Sequence, residues 1–141
     1  MPNSTDKKVS NPPVTLQQGR QWNCEDPERR KHWAAATVEA LKVIEGKWKI
    51  IIISQLFAAK APIRFSDLQR LIEGINQKML IQQLKQLESD GIVIRTVYAE
   101  VPPRVEYALD NLGIALGPSM EALISWAELR REMREQDDNK L

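Results

Sequence analysis

Residues 75–109 limit the fold more than any other part of the chain. The first half reads Ile75-Asn76-Gln77-Lys78-Met79-Leu80-Ile81-Gln82-Gln83-Leu84-Lys85-Gln86-Leu87-Glu88. Its apolar residues recur at three- and four-residue steps, which places them along one side of an α-helix. Asp90-Gly91 closes that helix, because glycine adopts the left-handed conformation of a helix end at little cost. Alternating segments at 92–98 and 105–109 then read as two strands. Pro102 and Pro103 lie between them, at a hairpin tip, where a missing ladder donor does no harm. A helix that passes through one glycine directly into a hairpin predicts a mainly α chain with a small β-hairpin, in the α+β class.

The flanking sequence extends this frame. Residues 1–25 are polar, contain Pro2, Pro12 and Pro13, and show no periodicity, as expected of a flexible N-terminal arm. Asp26-Pro27-Glu28 is a helix start, with a side-chain cap, a proline in the first turn and an acid near the positive helix end. Trp33, Thr37, Ala40, Leu41 and Ile44 keep helical spacing up to Gly46. The run Ile50-Ile51-Ile52-Ile53 suggests a buried strand on propensity. Trp48, Ile51, Ile52, Gln55 and Leu56 also fit a helix, and the length of the segment favours the helix. Beyond Pro62, residues 63–65 have room for a minimal strand. Ser66-Asp67-Leu68-Gln69 reads as a capping box for a short helix closed by Gly74, and Asn76 caps the next one. Two short helices joined this tightly form a helix-turn-helix pattern. Asp110 can cap a further helical segment. Pro118 opens a last helix with an apolar stripe at Met120, Leu123, Ile124, Ala127 and Leu129.

At 141 residues the chain suffices for one core but not two. We expect one domain over 26–130, followed by a charged C-terminal tail at 131–141. The formal net charge of +1 gives no overall field that would draw nucleic acid, so any basic surface must arise from placement. The single cysteine excludes an internal disulfide and any multi-cysteine metal site. No apolar run follows Lys7 and Lys8, and the isoleucine run is too short for a bilayer, so a cytoplasmic location without membrane contact is expected. No phosphate-cradling glycine loop or metal-ligand spacing appears, and the single histidine, His32, has no nucleophile motif near it. The expectation is a non-enzyme without cofactors.

The helix at 75–88 carries the chemistry. Ile75, Met79, Leu80, Leu84 and Leu87 fall on its packing side, and Gln77, Lys78, Ile81, Gln82 and Lys85 on the other. Glutamine can pair with the adenine edge in a DNA major groove, and lysine with guanine acceptors or phosphate. Ile81 is an apolar side chain on a face that should be wet. It fits either a thymine methyl or a half-buried position against the hairpin. Arg95 and Arg104 on the hairpin, with Lys60 and Arg64 near the short helix, are candidate phosphate contacts. The partner read from these residues is double-stranded DNA, with a protein-interaction module lacking specific DNA binding as the alternative.

Gly46-Lys47-Trp48, Arg64-Phe65-Ser66-Asp67-Leu68, Lys78-Met79-Leu80 and Gln82 to Glu88 with Asp90-Gly91 resemble the HxlR-type winged helix-turn-helix transcriptional regulators, a MarR-like family. Val101-Pro102-Pro103-Arg104-Val105-Glu106-Tyr107 is the most specific piece, and Leu112-Gly113 and Trp126 continue the match. The resemblance covers roughly residues 36–127. It implies a bacterial homodimeric regulator with a recognition helix and a wing, dimerised through its first and last helices. Leu123, Trp126 and Ala127 would then lie in the dimer interface, and two recognition helices would read half-sites about one DNA turn apart. The resemblance also leaves room for a small-molecule effector between the dimer helices and the DNA-binding lobe, though no residue identifies one. Several members sense oxidants through a cysteine placed just before a proline at the start of the first shared helix. Counting back from Gly46-Lys47-Trp48, that site falls near Ala35 and Ala36. Cys24 lies well upstream, beside Glu25 and Asp26. Those carboxylates disfavour its thiolate and the adjacent helix start favours it. Cys24 is thus either a redox-sensing residue or a passive thiol.

Overall fold

The structure is a computed structural model that describes residues 25–140. Helix α1 (Pro27–Ile44) begins where the sequence expects it, with the Glu28 amide donating to Asp26 Oδ1 at 3.1 Å. This satisfies one of the donors that a helix start leaves free. The chain divides into two units between Glu39 and Ala40, within this helix, and no α1 residue is buried. The second unit holds the core. Its first complete helix, α2 (Trp48–Ala59), answers the question raised by the isoleucine run. Lys49, Ile52, Ile53 and Leu56 are buried at helical spacing, so the helix turns successive isoleucines toward different neighbours.

Strand β1 (Ile63–Arg64) runs directly into helix α3 (Phe65–Leu71). Here the expected capping box does not form. Arg64 is the N-cap residue and makes no side-chain cap hydrogen bond, while Ser66 already lies inside the first turn. The cause is the strand. Ile63 and Arg64 are held extended opposite Tyr107 and Glu106, and this moves the helix start one residue ahead of the serine. Asp67 instead takes a hydrogen bond from Arg70 Nη2 at 2.7 Å.

Helix α4 (Gln77–Ser89) follows a five-residue turn that contains buried Ile72 and Ile75. Asn76 caps it as expected, accepting from the Met79 amide at 2.7 Å. Ile75 precedes the cap and Leu80 lies in the first turn, and both are buried, as in a hydrophobic staple. The far end is a Schellman motif. The Gly91 amide donates to the Glu88 carbonyl and the Ile92 amide to the Leu87 carbonyl, at 3.0 and 2.9 Å. Gly91 has φ +76°, which costs a residue without Cβ almost nothing.

Strands β2 (Val93–Tyr98) and β3 (Arg104–Leu109) form the hairpin. The sheet has three strands in the order β1-β3-β2, all antiparallel, with Arg95 opposite Tyr107 and Tyr98 opposite Arg104. Pairing of β1 with β3 ties the hairpin to the start of the helix-turn-helix. Leu68, Leu80, Leu84 and Leu87 are fully buried with Ile52 and Ile53, and Val93 and Tyr107 close the core from the sheet. Helix α5 (Asn111–Ala115) begins at Asp110, whose side chain accepts from the Asn111 amide at 2.7 Å. Helix α6 (Gly117–Asp138) has its proline in the first turn and no buried residue. The segment expected as a charged tail from 131 continues this helix to Asp138. It contains no glycine or proline that would stop it, and its arginines, glutamates and Met133 favour helix.

Candidate nucleic-acid interface

The exposed side of α4 is not one uniform face. Gln77, Ile81, Lys85 and Glu88, spaced three and four apart, line a cleft of about 580 Å³ that opens toward the hairpin. Lys78 and Gln82 are exposed on α4 outside that cleft. The opposite wall comes from the sheet, with Arg95, Val105 and Tyr107 on one face and Pro103 at the tip. Arg64, Phe65 and Ser66, where β1 meets α3, and Arg104 beside Pro103 complete it. The pairing of β1 with β3 brings Arg64 into the same cleft as Arg95 and Lys85, a juxtaposition that residues so far apart in sequence could not reveal.

Ile81 is half-buried and lines this cleft, so of its two readings the place against the hairpin matches its surroundings. Leu84 beneath it is fully buried. Phe65 and Tyr107 meet as a tilted aromatic pair with ring centroids 6.4 Å apart. Burial pushes the Tyr107 hydroxyl above its ordinary value of 10.0, and the Arg95 guanidinium beside it offsets part of that rise. The phenol is therefore neutral at physiological pH, and Glu88 is the one carboxylate among the lining side chains.

Arg104 is placed differently from the other basic candidates. Its guanidinium lies over the Tyr98 ring, 4.1 Å from the centroid, and within 3.4 Å of both Glu100 and Glu106. Its Nε is buried without a formed hydrogen bond, held by charge alone. Strand alternation puts Tyr98, Arg104 and Glu106 on the face of the hairpin opposite Arg95 and Tyr107. Two carboxylates thus neutralise an arginine that the sequence offered as a free phosphate contact. Lys60, also expected near phosphate, is exposed at the left-handed end of α2. Sequence reasoning missed Glu88, Phe65 and Tyr107 as cleft residues. Glu88 was legible as the next step of the Gln77–Ile81–Lys85 row, whereas the aromatic pair depends on the β1–β3 register.

The remaining candidates divide simply. Leu123, Trp126 and Ala127 are exposed on α6, Trp126 at 62%, in company with Ile124, Leu129 and Met133. Cys24 lies outside the described residues. No helix among the described residues is long and apolar enough to cross a membrane.

Residues 43–135, most of the second unit, match the HxlR-like helix-turn-helix family. The chain belongs to that family. It is similar to the uncharacterized HTH-type transcriptional regulator YtcD of Bacillus subtilis, 43% identical over 97 residues that make up 69% of this chain and 75% of that one. Among solved structures, the redox regulator HypR in its reduced form is 40% identical with a TM-score of 0.64, over 72% of this chain and 98% of that chain. The reduced transcriptional regulator YodB from B. subtilis is 30% identical with a TM-score of 0.56, over 74% and 93%. This HxlR-like chain is a winged helix-turn-helix transcriptional regulator.

Proposed function

We propose that the protein acts as a homodimer that binds a specific DNA operator, with α4 in the major groove and the hairpin wing on the backbone or minor groove. The observation that carries this reading is the exposed row of α4, bordered by a wing that directs Arg95 toward the same side. Lys78 and Gln82 stand clear of the cleft and are the base-reading candidates, through the lysine ammonium and the glutamine amide. Gln77 and Lys85 lie between the helix and the wing, and with Arg64 and Arg95 they supply backbone contacts. Arg104 contributes by fixing the wing tip rather than by meeting phosphate with a free charge.

The dimer reading rests on α6. Beyond Met120, which packs against the core, its apolar residues Leu123, Ile124, Trp126, Leu129 and Met133 are exposed in the single chain, and exposed apolar residues in a contiguous group mark an interaction surface. In a C2 dimer the same stripe would be used by both copies.

The test is selection of bound fragments from genomic DNA by the purified full-length protein, with and without a thiol oxidant. An enriched sequence with twofold symmetry is expected. Its affinity should fall steeply with salt as counterions are released. Gln82→Ala and Lys78→Ala should weaken that operator while leaving the fold intact. Failure to enrich any sequence at low salt would favour the protein-interaction alternative. Loss of binding on oxidation that Cys24→Ser abolishes would assign the thiol a sensing role. HypR is named a redox regulator, and Cys24 is the one thiol in this chain that such a test can address.

A further inference from the structure

Val101, at the tip of the hairpin, belongs neither to the core nor to the cleft. It is fully exposed, more so than any other large apolar side chain among the described residues, and Pro102 and Pro103 beside it are exposed too. The tip has little with which to meet a phosphate or hydrogen-bond a base edge. Glu100 is the only charged residue in the segment 99–103, and Arg104 holds it at 3.4 Å. The Glu100 amide donates to the Tyr98 carbonyl at 2.9 Å, and neither proline has an amide to offer. Arg104, the next cation along the chain, is fixed over Tyr98 and between two carboxylates. What the tip presents is a small apolar surface on a braced turn.

Its size and reach point to one partner. A stable protein interface takes about 800 Å² from each side, far more than one valine and two prolines cover. The minor groove of B-DNA is only about 6 Å wide and admits small apolar wedges. The six residues of β2 rise about 20 Å, against about 17 Å for half a DNA turn. A hairpin rooted at the end of a helix in the major groove can therefore carry its tip to the neighbouring minor groove. In that groove A·T pairs present only acceptors, and a G·C pair adds the guanine N2 amino group. The amino group stands up from the groove floor where a valine methyl needs space, and the methyl leaves it a donor without a partner.

We propose that Val101, braced by Pro102 and Pro103, enters the minor groove next to α4 and selects A·T over G·C pairs there. The proposal rests on the operator-binding reading and gives the wing a part in specificity as well as affinity.

The test rebuilds the selected operator with each A·T pair replaced in turn by G·C and by inosine·C, and reads affinity by fluorescence anisotropy. Inosine·C presents the same major-groove edge as G·C but lacks the minor-groove amino group. At pairs read by α4, both replacements should weaken binding. At pairs under the wing tip, G·C should cost about fivefold or more and inosine·C less than about twofold. Val101→Ser should melt as wild type does and shrink that G·C penalty to about twofold or less, since a hydroxyl can accept from the amino group. Should its melt fall, Val101→Thr, which keeps the branched shape and adds the hydroxyl, replaces it. The salt dependence should match wild type, because no phosphate contact is lost. Operator binding in which no pair separates G·C from inosine·C overturns the proposal and leaves the DNA reading standing. So does a Val101 variant that keeps the full G·C penalty, or one that weakens every sequence alike, as a misplaced wing would. If no fragment is bound at all, the DNA reading fails and this proposal fails with it.

Discussion

Gly113→Ala should destabilise the protein, although a helix-propensity argument predicts the reverse. Gly113 lies within α5, where alanine is favoured over glycine by up to about 1 kcal/mol. The site, however, has no room for a methyl group. A Cβ there would sit inside contact distance of the Ile92 carbonyl oxygen and 3.0 Å from Leu109 Cδ2. Backbone cannot swing aside as a side-chain tip can. That carbonyl also accepts the Asp110 amide at 2.9 Å, the bond that joins the root of the hairpin to the start of α5. Overpacking of this kind costs about 1–3 kcal/mol, and weakening the Asp110 bond adds about 1 kcal/mol. Set against the propensity gain, the net loss is about 2 kcal/mol, or roughly 10 °C in melting temperature for a domain of this size. Gly117→Ala is the internal comparison. Its added methyl would meet the far end of the Phe57 ring, a half-buried side chain that can shift, so the loss should be smaller. Urea unfolding followed by tryptophan fluorescence, at one fixed protein concentration, gives both values. A Gly113→Ala variant as stable as wild type, or less affected than Gly117→Ala, would refute the close approach of α5 to the wing root.

Asn76→Ala removes the α4 cap and should cost about 1 kcal/mol in urea unfolding, since the Met79 amide loses its acceptor. Arg95→Ala should lower the salt dependence of operator binding by about one phosphate contact, whereas Arg104→Ala should leave that slope unchanged because Glu100 and Glu106 already hold its charge. Equal slopes for the two variants, measured by fluorescence anisotropy across a salt series, would contradict the assignment. Trp126→Glu should convert the protein from dimer to monomer by light scattering, as it puts a charge into the exposed α6 stripe. For Tyr107 the folded state raises the hydroxyl above 10.0, so the folded protein holds this proton more tightly than the unfolded chain. Stability tied to this group is complete below pH 10 and declines as pH rises above it. Tyr107→Phe should flatten that alkaline decline in urea midpoints, and an unchanged decline would assign it to other groups.

Much of the fold was legible because local rules agreed with the tertiary demand. Asn76, Gly91 and Asp110 mark element ends in the structure as they do in the sequence, each through a hydrogen bond or a backbone angle that its own chemistry supplies. The isoleucine run was ambiguous because propensity and periodicity point to different elements, and packing against α3, α4 and β3 favours the helix. Ser66 misled for a tertiary reason: the register of β1 on β3 fixes the helix start at Phe65, and no local pattern reports a register.

The same distinction explains which site residues were legible. The α4 face could be sorted by helical geometry alone, and the structure keeps that sorting, with Leu80, Leu84 and Leu87 buried and Gln77, Lys78, Gln82 and Lys85 exposed. Charges on the hairpin could not be sorted in this way. Arg95 and Arg104 look alike in sequence, both on strands at the proposed wing. Both border the cleft, but alternation puts Arg95 on the face of Tyr107 and Arg104 on the other face, between two carboxylates and over Tyr98. A near-neutral chain can still present a concentrated cationic surface if its acids are paired off elsewhere. Glu100 and Glu106 do this for Arg104 at the outer face of the hairpin, and Glu88 is the one carboxylate that lines the cleft with Arg64, Lys85 and Arg95. The balanced composition, which at first argued against a nucleic-acid partner, is thus compatible with one, because two of the acids are taken up by Arg104 and a single carboxylate lines the cleft beside the other cations.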